Sequence, residues 1–173
     1  MLGVLIAIAV VISSTPRPQP TLQSATNPQA EDQVATVVPA NNAILFDAYP
    51  DSNSRGELLI DNGTPKGAVA KLINRRTNQK ILSFAISARS KAAVSAIPDG
   101  SYDLLFAFGE HLYIHTDRFK TAHGFSKFAE PMEFATRDTR DGVTWSKNSV
   151  TLHTVISGNA RTQSVSREEF ERY

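Results

Sequence analysis

The 173-residue sequence contains no cysteine, which excludes a disulfide framework, a thiolate zinc site and a cysteine nucleophile. It also has almost no net charge, +1 at pH 7, so we expect no overall attraction to nucleic acid or to an anionic surface. The motifs G-x-S-x-G, P-loop and H-E-x-x-H do not occur. The sequence therefore does not indicate an enzymatic reaction. It is informative mainly about architecture and cellular compartment.

One apolar run, LGVLIAIAVVI at residues 2–12, is too short to cross a bilayer as written. As a helix it would span roughly 17 Å, against about 30 Å for a hydrocarbon core. We interpret residues 1–13 as an anchor or signal segment. The favoured form is the end of a membrane anchor whose upstream residues are missing. An atypical signal peptide without a basic start and a hydrophobic segment buried in the fold are the alternatives.

The following residues, 14–43, favour a disordered, proline-rich linker. Their many small polar residues leave little to bury, and TPRPQP favours an extended polyproline conformation that serves as a stiff spacer. Within this linker, VATVV at 34–38 is compatible with one short strand. A membrane segment, a stalk and a module outside the cytoplasm form the predicted organisation.

Residues 44–173 predict an all-β domain, because apolar residues alternate with polar ones between turn signals. We expect a β-sandwich of the immunoglobulin or prealbumin type. Turns are predicted at 62–63, 98–100 and 141–142. The longest apolar strand, 101–108, is predicted to be central and to end at Gly109. One of its faces should be filled by Tyr102, Leu104, Phe106 and Phe108.

A short helix is predicted at the C-terminal end of this domain. Ser166 precedes Glu169 by three residues, which is the spacing of a capping box. We expect the helix to begin at about Arg167, with Phe170 as the apolar residue that anchors it.

The histidines and acidic residues give no convincing reactive site. His111 and His115 are four residues apart in a predicted strand, so they would lie about 13 Å apart, too far to share one metal ion. Glu110 needs a partner and a cleft to act as a general acid. We therefore assign no catalytic, cofactor-binding or metal-binding residue.

The stretch RFKTAHGFSKF at 118–128 mixes basic and aromatic residues. That mixture is typical of a platform for single-stranded nucleic acid. We interpret its phenylalanines instead as core residues of a strand–loop–strand unit, and we expect no nucleic-acid partner. A patch for an acidic protein or a lipid headgroup is the remaining alternative.

Several segments resemble known modules. AIPDGSYDLLFAFGE is similar to prealbumin-like and carboxypeptidase-regulatory-like sandwiches, in which a Pro-x-Gly-x-Tyr hairpin precedes a core strand. Together with GELLIDNGTPKGAVAKL, FSKFAEPMEF and VTLHTVISGNA, it resembles a group of uncharacterised, membrane-anchored bacterial proteins over about residues 56–170. The resemblance implies a non-catalytic accessory domain and brings no catalytic residues.

The expected function is therefore non-enzymatic binding of a protein or glycan at the cell envelope. The membrane would be contacted through residues 2–12. Two alternatives stay open: an envelope hydrolase that uses Glu110 and His111, and a purely structural spacer.

Overall fold

The computed structural model describes residues 35–38, 40–152 and 161–173. The predicted hydrophobic segment and most of the predicted linker lie outside these residues. Within the described residues, no helix is long and apolar enough to span a membrane.

The domain consists mostly of β-strands, as its alternating pattern predicts. The strands are β1 (Thr36–Val37), β2 (Ile44–Asp47), β3 (Gly56–Asn62), β4 (Gly67–Asn74), β5 (Gln79–Ile86), β6 (Ser90–Ile97), β7 (Gly100–Tyr113), β8 (Phe119–Phe128), β9 (Met132–Phe134), β10 (Thr136–Thr139), β11 (Gly142–Trp145), β12 (Lys147–Thr151) and β13 (Thr162–Ser164). One helix, α1 (Arg167–Glu171), follows β13. The short strand predicted within 34–38 is present as β1.

The strands form two packed sheets and one hairpin. The large sheet has the order β13-β8-β7-β4-β5-β2, and β1 and β9 pair with the two ends of β7. The small sheet has the order β12-β3-β6, with β12 parallel to β3 and β6 antiparallel to it. Strands β10 and β11 form the hairpin around the predicted turn at 141–142.

A continuous apolar core joins the two sheets. The small sheet contributes alternate residues such as Leu58 and Ile60, and the large sheet contributes Leu72 and Phe84. Because each sheet buries one face against the other, the fold is β-sandwich-like. The predicted all-β class is confirmed.

Strand β7 is central, as predicted, but it is longer than predicted. Its buried inner face carries Tyr102, Leu104 and Phe106, with Phe108 partly buried. The expectation that the chain leaves the sheet at Gly109 was wrong, since β7 continues to Tyr113. A Cβ at Gly109 would collide with the Phe119 ring and lie 2.6 Å from the Thr121 oxygen, so glycine permits β8 to pack closely here.

The predicted strand–loop–strand at 118–128 was also wrong. Strand β8 runs without a break from Phe119 to Phe128. Its register against β7 shifts where Gly124 pairs with Phe108 and Ala122 pairs with Gly109, which leaves His123 as the extra residue of a bulge. The glycine that suggested a loop therefore serves a bulge.

The C-terminal helix begins where the capping box predicts. The backbone N–H of Glu169 donates to Oγ of Ser166 at 3.1 Å. Phe170 is 1% exposed and packs on the outer face of the large sheet, so its predicted role as the anchor is confirmed.

Candidate functional site

The strongest candidate site is the outer face of the small sheet, which we call the groove face. Its strands alternate between buried and exposed side chains up to Ser95 of β6, so that every second side chain points away from the core. Three adjacent strands present nine outward side chains: Glu57, Leu59 and Asp61 from β3, Lys91, Ala93 and Ser95 from β6, and Lys147, Ser149 and Thr151 from β12.

The centre of the groove face is apolar and low. Leu59 is 39% exposed and lies between Ala93 and Ser149 on the neighbouring strands. These small neighbours leave a cavity of about 360 Å³ above the sheet. That volume lies within the range of about 300–1,000 Å³ that is usual for small-molecule sites.

Ion pairs border this centre at both ends. Nζ of Lys147 lies 3.1 Å from Oε2 of Glu57, and Nζ of Lys91 lies 3.4 Å from Oδ2 of Asp61. The two lysines lie on opposite sides of β3, since one comes from β12 and the other from β6. The four groups together carry no net charge.

Trp145 closes the end of the groove face that carries Glu57. Its Nε1 donates to Oε1 of Glu57 at 2.9 Å. Arg55 and Lys147 both stand over its ring, with 5.5 and 5.3 Å between cation and ring centroid. The hydrogen bond from Trp145, followed by that from Lys147, holds the pKa of the Glu57 carboxyl below its usual value. Glu57 is therefore fixed both in position and as an anion.

A second cavity of about 250 Å³ extends the first, because Glu57 and Ser95 line both. The backbone of β6 turns sharply here. Ala96 has a left-handed φ of +62°, and the register between β3 and β6 shifts beside it. Non-glycine residues in this conformation are uncommon and cluster at functional sites.

Glu110 and His111, the residues of the hydrolase alternative, line a separate cavity of about 250 Å³ with Lys66 and Ser87. Oε1 of Glu110 lies 3.4 Å from Nε2 of His123, and the Glu110 side chain is 58% exposed. The structure thus brings Glu110 together with His123, which lies in the segment predicted as a strand–loop–strand unit.

His115 is not among the residues that line this cavity. His115 lies in the turn after β7 with a φ of +60°, and His153 lies outside the described residues. Across the parts of the chain that the structure describes, no group of three or more histidine or acidic side chains is placed to hold a metal ion.

The basic and aromatic side chains of 118–128 separate in the structure. Phe119 and Phe128 are buried, whereas Arg118 and Lys120 are exposed. Lys127 pairs with Asp103 at 3.6 Å. The aromatic rings therefore serve the core, as predicted.

Sequence reasoning missed the groove face. The period-two pattern of GELLIDN already places Glu57, Leu59 and Asp61 on one side of a strand. No local signal indicates that Lys147 would become the neighbour of Glu57, because the pairing of β12 with β3 joins residues 90 positions apart.

Comparisons with protein-family models, curated proteins and solved structures found no significant match to this chain.

Proposed function

We propose that this protein is a non-catalytic binding module that holds a neutral oligosaccharide on the groove face. In this proposal the sandwich is of the immunoglobulin or prealbumin type and stands outside the cytoplasm. Residues 2–12 anchor it in the membrane, and residues 14–43 serve as a stalk. The ligand would be a glycan of the cell envelope.

The charge balance around Leu59 is the observation that carries this proposal. Two ion pairs flank an apolar centre, and their charges cancel. A polyanion or a polycation would meet one repulsive group at each end. A sugar hydroxyl, in contrast, donates to a carboxylate and accepts from an ammonium group, so a cation–anion pair satisfies it in both directions.

The dimensions of the groove face fit the same ligand class. Glu57 and Asp61 are four residues apart on one strand, which separates them by about 13 Å. A short oligosaccharide of that length places its apolar C–H surface over Leu59 and its hydroxyls at the two ion pairs. Trp145 holds Glu57 in place for the contact at one end.

A second copy of the chain fits this face poorly. A two-fold axis in the plane of the face would set β3 against β3. Glu57 would then oppose Glu57 or Asp61 of the other copy, and like charges in direct opposition are destabilising.

The binding test uses the full chain in detergent and calorimetric titration with four neutral probes: cellotetraose, chitotetraose, maltotetraose and laminaritetraose. We expect one of them to bind with an affinity that changes less than about twofold between 50 and 500 mM salt, because no net charge is neutralised. Leu59→Asp should abolish binding. Ile44→Ala, which alters an exposed apolar residue on the large sheet, should not. Failure of all four probes, or equal loss in both variants, would contradict the proposal.

A separate measurement tests the compartment. Intact cells that express the chain from its own start are treated with protease. Release of a fragment of about residues 44–173 supports an exported domain on a stalk. Complete protection of this fragment in intact cells, with cleavage only after lysis, contradicts export.

The second candidate function is an envelope hydrolase. It is supported by the cavity that Glu110 and His111 line and by the 3.4 Å contact between Glu110 and His123. This candidate expects turnover of chromogenic ester or glycoside substrates that Glu110→Gln reduces at least 100-fold. If neither saccharide binding nor turnover is found, a structural spacer becomes the better description.

A further inference from the structure

The outer face of the large sheet, on the side opposite the groove face, is covered by the C-terminal segment 161–173. Strand β13 pairs with β8, and α1 lies across the sheet. Phe170 inserts among apolar residues of this face and lies 5.2 Å from the Phe125 ring. The covered residues include Val69, Ile73, Leu105, Leu112 and Phe119.

A buried lysine donates hydrogen bonds to the main chain of this segment. Lys71, in the middle of β4, is 0% exposed. Its Nζ donates to the main-chain oxygens of Phe170 at 3.1 Å and Tyr173 at 3.0 Å, and it lies 4.2 Å from the centroid of the Phe170 ring. An ammonium group at the last carbonyls of a helical turn is favourable, because these oxygens lack partners within the helix.

Side chains near Lys71 make further hydrogen bonds to the same segment. Nζ of Lys80 donates to the Tyr173 oxygen at 2.9 Å, and Nη2 of Arg118 donates to the Glu171 oxygen at 3.5 Å. The Tyr173 hydroxyl donates to Oδ1 of Asn78 at 2.7 Å. Three cations, from β4, β5 and the residue that precedes β8, thus converge on one peptide turn.

Asp117, in the turn between β7 and β8, pairs with two of these cations. Its Oδ1 lies 3.1 Å from Nζ of Lys71, and its Oδ2 lies 2.6 Å from Nζ of Lys80. The cluster of two lysines and one aspartate keeps one positive charge in excess. That excess is directed at the main-chain oxygens of the segment.

The cover leaves one buried group unmatched. Ser83 pairs with Lys71 across β4 and β5, so both side chains lie on the covered face. Oγ of Ser83 is buried and has no hydrogen-bond partner among the described residues. A buried hydroxyl without a partner costs about 1–3 kcal/mol, so the segment satisfies this face incompletely.

The segment is also short for a structural element. Strand β13 has three residues, all exposed, and α1 has five residues, of which Phe170 is buried. Elements with so few buried contacts open locally at a lower free energy than a packed core.

We propose that this face is a peptide-binding site which the chain fills with its own C-terminal turn, and that a peptide of the same chemistry exchanges with it. The recognised class is a helical turn that carries a buried aromatic residue and, three residues later, a main-chain oxygen held by two lysines. The site is independent of the groove face, so the failure of either assignment leaves the other untouched.

The test uses the full chain with Phe170→Ala and a fluorescent synthetic peptide of residues 161–173. We expect the peptide to bind the variant at least 10-fold more tightly than the unaltered chain, whose own segment competes at a high effective concentration. A peptide that itself carries Phe170→Ala should not bind. Adding Lys80→Gln to the chain should weaken binding several-fold.

Failure of the peptide to bind a folded Phe170→Ala chain would overturn the proposal. A second measurement covers the case in which this variant does not fold. In the unaltered chain, hydrogen exchange of the Phe170 and Arg172 amides should be at least 100-fold faster than that of hydrogen-bonded amides in β4 and β7. Equal protection in all three places would mean that the segment opens only with the whole domain, and the site would then not exchange.

Discussion

The two outer faces of the sandwich differ in what covers them. On the large sheet, the chain covers a row that contains the charged residue Lys71 and leaves it 0% exposed. On the small sheet, the chain leaves Leu59 open at 39% exposure. Hydrophobicity alone would predict the reverse, since an ammonium group loses far more hydration free energy on burial than a leucine gains.

The difference lies in where the charged groups find their partners. On the groove face, Glu57 and Asp61 meet lysines of adjacent strands in the plane of the sheet. On the large sheet, Lys71 finds its oxygens above the sheet, in the segment that covers it, and in Asp117. A charge whose partners lie above the sheet requires a cover, whereas laterally paired charges leave the face free for a ligand.

The largest expected effect compares the two aspartates that pair with lysines on these faces. Asp117→Asn should lower the free energy of unfolding by about 3–5 kcal/mol, because it leaves a buried ammonium without its anion. Asp61→Asn removes an exposed pair and should cost no more than about 1 kcal/mol. Chemical denaturation of both variants measures the contrast. Similar losses of unfolding free energy in the two variants would show that the buried ion pairs of Asp117 stabilise the fold no more than the exposed pair of Asp61.

The ion pairs of Asp117 also make the free energy of unfolding depend on pH. Burial raises the pKa of Asp117, but the hydrogen bond from Lys80 and the charge of Lys71 outweigh it and hold this pKa below its usual 3.8. The contribution of Asp117 is therefore present above pH 3.8 and is lost as the pH falls through its folded pKa. The difference between the unaltered chain and Asp117→Asn should shrink in that acid range.

The next largest effect sharpens the contrast within one strand. Leu58 and Leu59 are sequence neighbours, but Leu58 is 1% exposed and faces the core. Leu58→Ala should cost about 2–5 kcal/mol, as is usual for a buried leucine. Leu59→Ala should stay within about 0.5 kcal/mol, as is usual for surface substitutions. Thermal unfolding of the two variants distinguishes the faces, and a large loss for Leu59→Ala would mean that the groove face is part of the core.

Much of the fold could be predicted from local signals. The alternation in β3 and β6, the turn at 98–100 and the capping box of Ser166 and Glu169 each act over a few residues. The role of Phe170 followed from its place as the apolar residue of a short polar helix. Such features are encoded where they occur, so a single sequence reveals them.

The rest depends on pairing between distant residues. In AVAKLI, Lys71 reads as the polar residue of a half-exposed strand, and nothing nearby indicates that Phe170 and Tyr173 would cover it. Gly109 and Gly124 read as strand ends, although one permits close packing and the other serves a bulge. Glu110 needs a partner and a cleft to act as a general acid, and no local signal indicates its neighbour His123, which comes from the next strand.

A smaller effect concerns the charge state of the covered lysine. Burial lowers the pKa of Lys71 from its usual 10.5, and Asp117 offsets this only in part. The unfolded chain then binds the proton more tightly, so the free energy of unfolding should rise with pH between the folded pKa and 10.5. Lys71→Met should remove this rise.

The titration of Tyr102 also affects the free energy of unfolding at high pH and has to be distinguished from that of Lys71. Burial raises the pKa of its hydroxyl above the usual 10.0, which lowers stability as the pH rises further. This slope occurs in both proteins, so the difference between the unaltered chain and Lys71→Met isolates Lys71. A difference that does not change with pH would show that Lys71 is as well solvated as an exposed lysine.

The smallest effect tests whether the open face is held ready for a ligand. Trp145→Phe keeps an aromatic ring but removes the N–H that donates to Glu57. The pKa of Glu57 should rise toward its usual 4.5, because the largest cause of its lowering is lost while Lys147 remains. A carboxyl titration by NMR measures the shift, with Asp61 as the internal control at the other end of the groove face. An unchanged pKa of Glu57 would mean that its position depends on Lys147 alone, and Trp145 would then have no part in ordering the open face.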